Sequence, residues 1–213
     1  MRAYEELRAD ILSAALPPER RLRLDALSAQ YGIGTIPLRE ALNRLVTEGF
    51  VEHRERRGFV VSSLPLADLE ELVRTRIWLE TRALEEAIAN GDEAWEQRLI
   101  VAFHRLSRTQ RLIEEQGEER LNAEWEALHR DFHIALIEPC GSSILVGFCA
   151  TLMDQAVRYR NLSVNFTKAR RGDAIEEHRA ILDAALDRDG ATASALLAAH
   201  YRKTLDGLRV LLG

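Results

Sequence analysis

His129 and His133 lie four residues apart in a chain of 213 that has six histidines. On an α-helix that spacing stacks both imidazoles on one face, one turn apart. Two imidazoles so placed can reach a single divalent cation. Zinc peptidases use the same spacing, but they put a glutamate, the general base, directly after the first histidine. Arg130 fills that position here, so a peptidase reading lacks its base. The spacing alone describes equally well a partly buried helix whose histidines bond to backbone or to each other.

Other histidines join the pair once the helices that carry them are placed. His178 lies 12 residues before Gly190, and His200 lies 10 after it. Asp187-Arg188-Asp189-Gly190 reads as a turn between helices over 173–186 and 191–212. At about 1.5 Å per residue, both histidines fall at similar height on adjacent antiparallel helices. They can face each other, with His129 and His133 supplied by a third helix. Zinc, or another imidazole-favouring ion such as nickel, suits four such ligands. The alternative is a structural core of neutral imidazoles. His53 and His104 show no comparable relation.

The bulk properties bound what surrounds this site. Hydrophobic residues make up 46% and charged residues 30% of the chain, values expected of a globular protein. No apolar run approaches the roughly 18 residues of a membrane span. The charged start, MRAYEELRAD, lacks a signal-peptide core, and two cysteines make no disulfide framework. A cytoplasmic protein with free thiols is expected. Net charge is −5, yet its distribution is uneven. Residues 1–65 carry ten arginines and nine acidic residues; the rest carry 19 basic and 25 acidic. Basic residues cluster at Arg20, Arg21 and Arg23, and again at His53-Arg54-Glu55-Arg56-Arg57. A near-neutral first third with a local basic patch, before an acidic remainder, fits a small DNA-binding head on a larger body.

The first third reads as helix, helix, tight turn, helix and a two-stranded wing. Tyr4, Leu7, Ile11, Leu12 and Ala15 form one stripe, ended by Pro17-Pro18. Asp25 can cap a second helix, stopped at Gly32. A third runs over about 36–47, with Pro37 in its first turn and Leu38, Ala41, Leu42 and Leu45 inward. Arg39 and Arg44 point outward. Short strands around 50–53 and 59–61 flank a polar turn. This is a winged helix-turn-helix, whose third helix enters the major groove with its N-terminal residues first. Thr35, Ile36, Arg39 and Arg44 are the candidate contacts on that helix, with Arg39 suited to bidentate pairing with guanine or phosphate. Arg56, Arg57 and Gly58 at the wing tip can reach the minor groove or backbone.

The stretches Gly32-Ile33-Gly34-Thr35-Ile36-Pro37-Leu38-Arg39-Glu40-Ala41-Leu42, Glu48-Gly49-Phe50-Val51 and Arg57-Gly58-Phe59-Val60-Val61 resemble the GntR family of bacterial transcription regulators. Members usually have Ser, Arg and Thr where this chain has Gly34, Thr35 and Ile36. After the linker 63–65, residues 66–213 show helical periodicity and no convincing strand. Helices are expected over about 66–89, 93–115, 120–136, 143–159, 173–186 and 191–212. The expected fold is mainly α: a winged helix-turn-helix domain over 1–62, then an all-α antiparallel bundle over 66–213.

The bundle resembles the FadR-type effector domain (FCD) of that family, on Phe132-His133, Glu177-His178 and the segment from Asp189 to His200. Metal-binding members use one Asp and three His; His133, His178 and His200 match the histidines, and His129 falls at the Asp position. Gly91-Asp92-Glu93-Ala94-Trp95, Cys140-Gly141-Ser142 and Arg158-Tyr159-Arg160 are similar to the carbon-starvation-induced regulators of the subfamily. A site with four neutral imidazoles keeps the full +2 charge of a divalent ion and favours an anion such as a small carboxylate. Arg76, Arg158 and Arg160 are the arginines that would strengthen this preference by bidentate pairing. The resemblance implies a homodimeric regulator, acting as a repressor, that binds a double-stranded DNA operator and answers to a small carboxylate. The competing reading is a metal-dependent hydrolase on the bundle, and a third is a purely structural dimer.

Overall fold

The computed structural model describes residues 2–115, 118–162 and 173–212. The chain forms two compact units, Met1–Pro65 and Leu66–Gly213.

In the first unit, α1 (Arg2–Leu12) buries Ala3, Leu7 and Ile11, a stripe with period four. β1 (Arg21–Leu22) precedes α2 (Leu24–Tyr31). Gly32 ends α2 in the left-handed region (φ 65°), its N–H bonding to the Ser28 carbonyl. α3 (Thr35–Thr47) buries Leu38, Ala41, Leu42 and Leu45. β2 (Val51–Arg54) and β3 (Gly58–Val61) pair antiparallel, with Val51 opposite Val61 and Arg54 opposite Gly58. All these elements close on one core that includes Leu7, Leu27, Leu42, Phe50 and Phe59.

Two details differ from the sequence reading. The wing is three-stranded, in the order β1-β3-β2, because Arg21 and Leu22 pair with Val60 and Phe59. A two-residue strand has no periodicity to betray it. Arg23, not Asp25, takes the cap position of α2 without a side-chain bond, and Asp25 lies in the first turn. There its carboxylate still faces the positive end of the helix.

The second unit has six helices among the described residues: α4 (Leu66–Asn90), α5 (Glu93–Arg108), α6 (Ala123–Ile137), α7 (Ser143–Asn161), α8 (Asp173–Leu186) and α9 (Gly190–Leu212). Short polar side chains set several starts: Asp92 accepts from Trp95 N–H, Asn122 from Glu124 N–H and Ser142 from Leu145 N–H. α9 packs on α4 and α8, α5 on α6 and α8, and α7 on α4 and α6. No described helix is long and apolar enough to cross a membrane.

One expectation is corrected here. The helix anticipated over 93–115 stops at Arg108, and a hairpin of β4 (Leu112–Glu115) and β5 (Glu118–Leu121) follows. Thr109 adopts an extended conformation (φ −95°, ψ 131°). Hydroxyls of Ser107 and Thr109 bond back to the carbonyls of His104 and Arg105, satisfying the end of α5. The bundle is therefore not purely helical.

Candidate functional site

His129 and His133 project from α6, His178 from α8 and His200 from α9, and all four are at most 7% exposed. The Nε2 atoms of His129, His133 and His178 form a triangle with sides of 3.1, 3.2 and 3.2 Å. A ligand atom from each of the four lies within 4.8 Å of the others. Trp125, one turn before His129, stacks on its ring at 4.7 Å and 17°.

Side chains behind two of the rings fix which nitrogen faces inward. The Tyr201 hydroxyl bonds to Glu80, whose carboxylate is also gripped by Arg76 at 2.7 Å. With its O–H donating to Glu80, the Tyr201 oxygen accepts from His133 Nδ1–H at 3.2 Å. His200 Nδ1 donates to Glu177 at 2.6 Å, and Glu177 also meets Lys203 at 2.7 Å. Both rings thus hold their hydrogen on Nδ1 and offer an Nε2 lone pair to the interior. Burial, then the neighbouring imidazoles, holds His129 and His133 well below the ordinary histidine range. Burial and then His200 do the same to His178.

A divalent cation between the rings would take up the Nε2 lone pairs of His133 and His200; without one, an Nε2–H of His129 or His178 can bridge the same contacts. Tetrahedral zinc with bonds of about 2.0–2.1 Å separates ligand atoms by about 3.3 Å, close to the triangle observed. The donor set therefore fits a divalent ion that favours imidazole. Glu177 is the carboxylate partner that such ligands ordinarily have behind them, and the Tyr201 hydroxyl takes that place behind His133.

A small cavity of about 20 Å³ adjoins the histidines. Arg76, Arg111, Arg160, Trp125, Tyr201 and Thr204 are in its wall. Arg160 pairs with Glu126 at 2.8 Å, and Arg111 lies 4.5 Å over the Trp125 ring. Of the three arginines expected near the centre, Arg76 and Arg160 are in this wall and Arg158 is not. Arg158 is buried and bonds to Gln155 at 3.2 Å. Two apart on α7, Arg158 and Arg160 lie about 200° apart around the helix, so the face that turns Arg160 to the cavity turns Arg158 away.

Glu177 and Trp125 had legible signals. Glu177 precedes His178, so the symmetry about Gly190 that pairs His178 with His200 also brings Glu177 near His200. Trp125 shares the face of His129 by its spacing of four. Arg111 lies beside a hairpin that helical periodicity does not reveal.

In the first unit Thr35, Ile36 and Arg39 are exposed along the leading end of α3. Arg44 lies 3.7 Å over the Tyr4 ring and bonds to Glu48 at 3.1 Å, so it ties α3 to α1. Arg56 and Arg57 are exposed at the wing turn. Arg56 (φ 60°) and Gly58 (φ 71°) are both left-handed there. Arg54 of the same patch is held by Glu19 at 2.6 Å and Glu52 at 2.8 Å.

A winged helix-turn-helix unit together with a helical unit built around a buried polar centre defines a DNA-binding regulator with a sensing domain. Residues 1–61 match the family described as "Bacterial regulatory proteins, gntR family", and residues 71–203 match the FCD domain. The chain belongs to the GntR family, in its FadR-like subfamily with an FCD domain. It is 36% identical over 209 residues to the uncharacterized HTH-type transcriptional regulator BphR of Paraburkholderia xenovorans, covering 97% of this chain and 83% of that protein. It is 32% identical over 204 residues to the HTH-type transcriptional repressor GlaR of Escherichia coli, covering 92% and 90%. The fold is that of E. coli McbR/YncC, with a TM-score of 0.79 at 24% identity over 100% of this chain and 97% of that one. The relatives are transcription regulators, and this chain is a DNA-binding transcription regulator rather than an enzyme. The hydrolase reading is thereby set aside.

Proposed function

We propose that the helical unit senses a small carboxylate at or beside a divalent metal ion, and that this ligand sets the operator affinity of a homodimer. His129, His133, His178 and His200 would hold the ion, zinc in the first instance and nickel in the second. The observation that carries the reading is the convergence of four buried imidazoles on one point. When bound, the ion supplies positive charge and a coordination position for a carboxylate oxygen.

Arg76, Arg111 and Arg160 add positive potential in the cavity wall, and a guanidinium fork pairs with a carboxylate in two parallel bonds. Arg158, expected from the sequence as a third partner, would act only through α7. A cavity of about 20 Å³ has room for about one water. A C3–C6 acid would therefore enter by displacing wall side chains. That displacement gives the two states of the protein different ligand affinities, which is what an allosteric response requires.

The dimer would place one head on each half of a pseudo-palindromic operator. Thr35, Ile36 and Arg39 would meet the major groove, and Arg56, Arg57 and Gly58 the minor groove or backbone. Repression of a metabolic operon in the cytoplasm is the regulatory role we assign, supported by the identity to a protein named as a transcriptional repressor. Fluorescence anisotropy against the chain's own upstream DNA, at low salt with and without C3–C6 carboxylates, tests it. Binding that shifts with one acid in the metal-loaded protein, and not after His133→Ala, is expected. Absence of binding to any upstream duplex would sink the regulatory reading. Metal analysis after dialysis tests the centre separately.

A further inference from the structure

Ile36 is 74% exposed at the second position of α3. The inward face of that helix is filled by Leu38, Ala41, Leu42 and Leu45. The exposed isoleucine thus adds little to the stability of the free unit. Its neighbours Thr35, Pro37 and Arg39 are also exposed.

The start of α3 is poor in groups that hold phosphate. Gly34 occupies the cap position with no side-chain bond. Pro37 has no N–H, which removes one of the donors a helix start otherwise offers to an anion. What remains is an apolar knob, Ile36 and Pro37, flanked by one hydroxyl and one guanidinium. In the major groove, the apolar feature a base pair presents is the 5-methyl group of thymine.

We propose that Ile36 reads a thymine methyl in each operator half-site. This rests on the reading that α3 is the helix that enters the groove. Ile36 and Arg39 are three apart, on one face. They are separated by about 4.5 Å along the helix, near the step of about 3.4 Å between base pairs. The thymine therefore lies within one or two base pairs of the guanine or phosphate that Arg39 contacts.

The test begins with a duplex selected from a randomised pool by the full-length protein. Each thymine of a half-site is then replaced by deoxyuridine, which deletes only the methyl. One position is expected to lose about threefold to fivefold in affinity with the unaltered protein, the equivalent of one buried methyl. Ile36→Val should keep that sensitivity, and Ile36→Ala, checked for folding by circular dichroism, should abolish it. Equal affinity for every deoxyuridine duplex, or the same loss with Ile36→Ala, overturns the proposal even if a specific duplex has been selected. Failure to select any sequence, together with no effect of Arg39→Ala, overturns the groove reading of α3 itself.

Discussion

The hydroxyl of Tyr201 on α9 stands 3.2 Å from Nδ1 of His133 on α6, and it is the link between a buried Arg76–Glu80 pair and the histidine centre. Burial above all, with Glu80 adding to it, keeps this phenol protonated far above its ordinary range. Its O–H therefore donates to Glu80, and its oxygen locks the His133 tautomer. Tyr201→Phe removes the lock while keeping the ring. A fall in metal affinity of about tenfold or more is expected, read by competition with a chromogenic chelator. Unchanged affinity would mean that the ring packing alone orients His133.

Glu177 plays the same part for His200, through a bond of 2.6 Å. Glu177→Gln keeps the shape and an acceptor oxygen but loses the charge. Metal affinity should drop by roughly tenfold, and DNA binding by the metal-free protein should not change. A DNA-binding loss of equal size without metal would instead mark Glu177 as a folding residue.

Acid should weaken the helical unit, and the sign follows from burial. His129, His133 and His178 are held well below their ordinary value of 6.5, first by desolvation. Below that pH the unfolded chain takes up protons that the folded chain refuses, so stability falls as pH falls. Each unit of separation is worth about 1.4 kcal/mol per group. Thermal melts in EDTA should be flat above about pH 7.5 and decline from about pH 6.5 downward. Zinc should raise the melting temperature at neutral pH, as any ligand of the folded state does, and the increment should vanish on acidification. Melting temperatures that rise between pH 6.5 and 5.5 would contradict the buried neutral cluster.

Gly91 meets Trp95 so closely that a Cβ there would lie 2.1 Å from the indole. Trp95 is fully buried, and its Nε1 donates to the Ala135 carbonyl of α6 at 2.7 Å. Gly91→Ala must push the ring away from this bond. The expected cost is about 1–3 kcal/mol, seen as a lower denaturant midpoint in urea unfolding. An unchanged midpoint would show that the turn between α4 and α5 yields instead.

The sequence by itself determined the helical stripes, the turn at Gly32, the third helix with its inward leucines and the facing of His178 and His200 across the turn at Gly190, and it made His129 and His133 eligible to join them. These are readable because burial on one face imposes a period of 3.6, and because a short turn forces its flanking helices side by side. The tertiary structure decided what the period does not encode. Helix rotation put Arg160 in the cavity wall and left Arg158 outside it. The packing of α9 against α4 brought Tyr201 from one to Glu80 on the other, and its reach to α6 put the same hydroxyl on His133. The hairpin after Arg108 carried Arg111 to the wall, and four-residue strands are too short for their alternation to be told from a fraying helix. Spacing along the chain fixes which residues share a face; only packing between faces decides which atoms meet.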